Sequence, residues 1–108
     1  MTGKQYGYVV QALAEVRHFG KVDEFNRSKL TETLQIVLNI KLLNSFFDRF
    51  DEEQLYLIAQ ALDDTADRRQ HAFAHDTENM RETAKLIRDT KARRETEWIN
   101  NRFKEGIA

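Results

Sequence analysis

Two histidines four residues apart are the side chains of this chain whose spacing first suggests chemistry. His71 and His75 would project from the same face of a helix. Histidines at this spacing bind zinc or a similar divalent ion when a carboxylate completes the ligand set. The motif reads HAFAH, however, and not the HExxH of zinc metalloproteases. We therefore predict a solvated surface here, keep a metal site as the third-ranked alternative, and expect no cofactor.

Two clusters of carboxylates could in principle perform acid–base chemistry or hold magnesium. Asp63, Asp64 and Asp67 form one cluster, and Asp51–Glu53 forms the other. Neither is accompanied by a glycine-rich phosphate loop or by a nucleophile and base at a recognisable spacing. Asp51 followed three residues later by Gln54 fits a helix capping box, which explains the second cluster structurally. We predict no catalytic residues and a non-enzymatic protein.

The basic residues of the C-terminal part suggest contact with nucleic acid. An arginine- and lysine-rich helix can lie along a phosphate backbone, and Trp98 could stack beside it. Acidic residues interrupt this row, which is typical of a solvated or helix-pairing face. A nucleic-acid-associated regulator is therefore the second functional hypothesis. Its candidate residues are Arg81, Lys85, Arg88, Arg93 and Arg94.

The composition predicts which elements must position these residues. A chain of 108 residues with 41% hydrophobic and 32% charged residues fits a single folded domain, 1–108. It has no proline, and the interval from Lys21 to Glu105 has no glycine, so long helices are favoured over short strands. Apolar spacing predicts a first helix over Lys4–Phe19, with Gly20 ending it in the left-handed conformation. The fold class is therefore all-α.

The stretch Leu30–Phe50 is the most continuously apolar part of the chain and predicts a central helix surrounded by the others. Val37–Leu42 also alternates like a strand, but no partner strand is evident. Glu32, Lys41 and Asp48 argue against a membrane span of this length. The N-terminus lacks the apolar run of a signal peptide, so we expect a cytoplasmic protein without membrane contact.

The C-terminal part carries an apolar pattern with a seven-residue repeat. Residues 4–62 are predicted to form the core helices, and residues 63–105 are predicted to form an extended, heptad-like helical segment. The pattern fits one helix from Glu52 to Lys104, and it fits equally two helices that meet near His75–Thr77. Such a seam requires a partner, which is either the first half of this chain or a second copy.

We expect this seam to make the contacts on which function depends. The leading hypothesis is an adaptor, regulator or inhibitor that folds as a small helical bundle and binds a second copy of itself, another protein or both. The preferred architecture is a helix-mediated homodimer. The charge is also asymmetric, with nine acidic against four basic residues in 22–64 and eight basic against five acidic in 81–105. Such polarity can attract one end of a molecule to a neighbour. The predicted interface residues are Phe73, Met80, Ala84, Ile87, Trp98 and Phe103.

Overall fold

The computed structural model describes residues 1–20, 24–69 and 74–107, with side chains at 1–18, 20, 26–68 and 76–101. The described residues are helical almost throughout and include no strand, which confirms the all-α prediction. The elements are four α-helices and one 3₁₀ helix: α1 (Gly3–Phe19), α2 (Glu24–Leu38), the 3₁₀ helix (Leu43–Arg49), α3 (Glu52–Arg69) and α4 (Ala74–Ile107).

Helix α1 begins at a capping box and ends at a glycine. The Gln5 amide donates to the Thr2 hydroxyl at 3.1 Å, and the Thr2 amide donates to the Gln5 side chain at 2.9 Å. The prediction for Gly20 is wrong, because its backbone is extended, with φ −75° and ψ 151°. Glycine is needed there for space, since a Cβ atom would lie 2.5 Å from the carbonyl oxygen of Val16.

The prediction of one central helix over Leu30–Phe50 is wrong, because α2 ends at Leu38. Asn39 competes with the helix, since its side-chain amide donates to the carbonyl of Gln35 at 2.8 Å. The amide of Ile40 also tightens the last turn by donating to Val37 at 3.2 Å. Residues 40–42 then leave helical structure before the 3₁₀ helix begins.

The break in the central stretch redistributes its apolar residues. Phe46 is fully buried in the 3₁₀ helix, and Phe50 directly after it is almost as buried. Their ring centroids lie 4.9 Å apart in a tilted arrangement that favours aromatic attraction. Leu38 and Leu42 are exposed instead. The chain thus returns to the start of α3 while two large rings enter the core.

Helices α3 and α4 form an antiparallel hairpin. The predicted capping box is confirmed, since the Gln54 amide donates to Asp51 Oδ1 at 2.7 Å and α3 begins at the next residue. Arg81 pairs with Asp67 at 2.7 Å, and an ion pair between Arg88 and Asp63 lies further along. Of the two alternatives for the C-terminal part, two helices are therefore present.

Polar contacts show which helix ends lie together. The Tyr6 hydroxyl donates to the carbonyl of Val37 at 2.8 Å, so α1 begins where α2 ends. At the other end of α2, Lys29 lies 3.7 Å from the carboxylate of Asp51 and 3.8 Å from that of Glu53. Helix α2 therefore runs antiparallel to α1, from the start of α3 towards the start of α1.

The bundle core includes the first half of α4. Met80, Ala84 and Ile87 are fully buried together with residues of α1 and α3. As far as Arg94, the residues of the seven-residue repeat thus pack against other helices of the same chain. Helix α4 has 34 residues, which correspond to about 51 Å at ~1.5 Å per residue. It therefore spans most of the 55 Å long dimension of the molecule.

Candidate protein interaction surface

The last part of α4 lies beyond the buried core. We call residues Glu95–Ile107 the arm, and its side chains are described from Glu95 to Asn101. Each of these described side chains is exposed. Two of them are large and apolar, since Trp98 is 60% exposed and Ile99 is 49% exposed. The arm therefore exposes two large apolar side chains in an otherwise polar segment.

Trp98 lies on the same face of α4 that forms the core. Eighteen residues make about five turns of an α-helix, so Trp98 projects in the same direction as Met80. Met80 is fully buried by the other helices, as are Ala84 and Ile87 one and two turns later. The core-forming face of α4 thus continues into the arm. Trp98 lies on this face, and more than half of its surface is exposed.

Arg94 fixes the point at which the arm starts. Its guanidinium donates to the carbonyl oxygen of Phe50 at 2.7 Å and also to the carbonyl oxygen of Phe47. The carboxylate of Asp48 lies 4.0 Å from the same guanidinium. We call residues Phe47–Glu53 the bundle end. The arm therefore starts directly beside the bundle end, and Arg94 donates charge-assisted hydrogen bonds to two carbonyl groups at the end of the 3₁₀ helix.

The charged side chains of the bundle end are mainly acidic, and those of the described part of the arm are acidic as well. Asp48 is 81% exposed at its side chain, and Glu52 is exposed in the first turn of α3. Lys91 pairs with Glu95 at 2.9 Å, and Arg93 is exposed on the neighbouring face. Glu95 and Glu97 are the charged residues among the described arm side chains, and Arg93 lies before the arm, so the arm and the bundle end are not complementary in charge.

Three of the six predicted interface residues are buried within the bundle. Met80, Ala84 and Ile87 are enclosed by helices of the same chain, so they stabilise this bundle and cannot contact a partner while it stays folded. The side chains of Phe73 and Phe103 lie outside the described residues. Trp98 is the predicted interface residue that the structure describes as exposed.

The basic row predicted for nucleic acid is largely engaged within the chain. Arg81 and Arg88 form ion pairs with Asp67 and Asp63 of α3, and Arg94 binds the carbonyls of the bundle end. Lys85 is exposed, and the other residue of the row, Arg93, donates to the Thr90 hydroxyl at 3.3 Å. The charge asymmetry of the sequence is thus partly neutralised between α3 and α4.

The metal prediction falls on His71 and His75, whose side chains lie outside the described residues. Among the side chains that the structure does describe, no group of three or more histidine, aspartate or glutamate residues could hold a metal ion. Over the same part of the chain, no helix combines the length and the apolar character needed to cross a membrane.

Sequence reasoning missed Arg94 as a structural residue. It occupies a seam position seven residues after Ile87, where an apolar side chain would be expected. A long cation at such a position indicates that the core ends there, because its head group needs hydrogen-bond acceptors or water. The acceptors are the carbonyls of Phe47 and Phe50 at the end of the 3₁₀ helix, an element that no local sequence pattern predicts.

A search of protein-family models, curated protein sequences and solved structures found no match to this chain. A candidate function is therefore inferred from the geometry of the arm and the bundle end.

Proposed function

We propose that this chain is a small, non-enzymatic helical protein that acts as an adaptor, regulator or inhibitor by binding another protein through its arm. One observation carries the proposal: Trp98 is 60% exposed on the face of α4 that is fully buried at Met80 and Ile87. Tryptophan is enriched among the residues that dominate the binding energy of protein interfaces.

The exposed part of Trp98 is large enough to contribute to binding. Aromatic side chains bury about 150–250 Å² each, so a residue that is 60% exposed retains roughly 90–150 Å² for a partner. At ~25 cal/mol per Å², covering this area contributes about 2–4 kcal/mol. Ile99 adds further apolar area on the neighbouring face. This is the range of a hot-spot residue, and it supports the arm as the centre of an interface.

Nucleic-acid binding receives less support than protein binding. Arg81 and Arg88 would have to exchange the carboxylates of α3 for phosphates, which would cost the bundle two inter-helix ion pairs. A weak, salt-sensitive attraction through Lys85 and Arg93 remains the alternative. It predicts that affinity for duplex DNA falls steeply as salt rises. Equal binding, or none, at low and high salt would contradict it.

Site-specific photo-crosslinking in the source cells tests the proposal. A photoreactive phenylalanine analogue replaces Trp98 in one variant and Leu38 in a control, because Leu38 is also apolar and 57% exposed. Leu38 lies beside the start of α1, away from the arm. We expect a discrete protein adduct at position 98, identified by mass spectrometry, and none at 38. Equal adducts at both positions, or none at 98, would contradict the proposed surface.

A further inference from the structure

We draw no further inference here: the strongest candidate, the exposed apolar patch of Trp98 and Ile99 on the arm of α4, carries nothing beyond the proposed function, because nothing in the structure shows what covers it.

Discussion

Replacing Arg94 by alanine should destabilise the bundle more than replacing any exposed arginine of α4. Its guanidinium donates to the carbonyls of Phe47 and Phe50 and lies 4.0 Å from the Asp48 carboxylate. These contacts tie the 3₁₀ helix and the start of α3 to α4. The Arg94→Ala change removes them while leaving the apolar core untouched.

The magnitude follows from the two hydrogen bonds and their surroundings. A hydrogen bond to a charged group contributes about 1.5–3 kcal/mol, so two give an upper range of ~3–6 kcal/mol. The Arg94 side chain is 26% exposed, so water can replace part of what is lost. The carbonyl of Phe47 also accepts from the amide of Phe50 at 3.4 Å and is not left without a donor. We therefore expect a loss of about 2 kcal/mol.

Urea denaturation followed by far-UV circular dichroism measures this loss. Arg93→Ala is the matched control, because Arg93 is exposed and donates to the Thr90 hydroxyl at 3.3 Å; it should stay within about 0.5 kcal/mol of wild type. Arg94→Met separates packing from hydrogen bonding, since it keeps an apolar stem without donors, and it should lose nearly as much as alanine. Arg94→Met as stable as wild type, or equal losses for Arg94→Ala and Arg93→Ala, would refute the reasoning.

Five further substitutions test the packing, each by the urea midpoint. Gly20→Ala should destabilise by about 1–3 kcal/mol, because its Cβ would lie 2.5 Å from a carbonyl oxygen, whereas Gly7→Ala meets nothing within 4 Å and should stabilise α1 by ~0.5–1 kcal/mol. Thr65→Val should stabilise by up to about 1 kcal/mol, since this buried hydroxyl has no hydrogen-bond partner among the described residues; Thr33→Val should lose stability, because its hydroxyl donates to a carbonyl at 2.8 Å. Ile87→Ala should lose about 2–4 kcal/mol by opening a cavity, and a smaller loss would contradict its place in the core.

The helical fold could be predicted because the sequence contains its local signals. The capping box at Asp51 and Gln54 and the apolar periodicity of α1 act within a few residues, so they were readable without a structure. The end of α2 was not readable in this way. Asn39 alone does not predict a helix end, because asparagine is tolerated inside many helices. The end of α2 also depends on a distant contact, the burial of Phe46 in the core.

The candidate surface could be predicted in part. Trp98 was recognised because a large aromatic residue near the end of a polar helix requires a contact. Met80 and Ile87 share its heptad pattern, and the sequence could not distinguish a partner copy from helices of the same chain. The structure distinguishes them by burial, since Met80 and Ile87 are buried and Trp98 is exposed. Which residues of α4 are buried depends on where α1 and α3 end relative to α4. The acidic bundle end depends on the position of the 3₁₀ helix, so it could not be predicted from the sequence either.

Fluorescence of Trp98 reports directly on the proposed binding surface, because Trp98 is the one tryptophan of the chain and lies within that surface. In dilute wild-type protein, the emission should be that of an exposed indole and acrylamide should quench it efficiently. When the protein identified by crosslinking at position 98 is added, we expect a shift to shorter wavelength and weaker quenching. Emission and quenching that stay constant while that protein binds would contradict the claim that the arm is the binding surface.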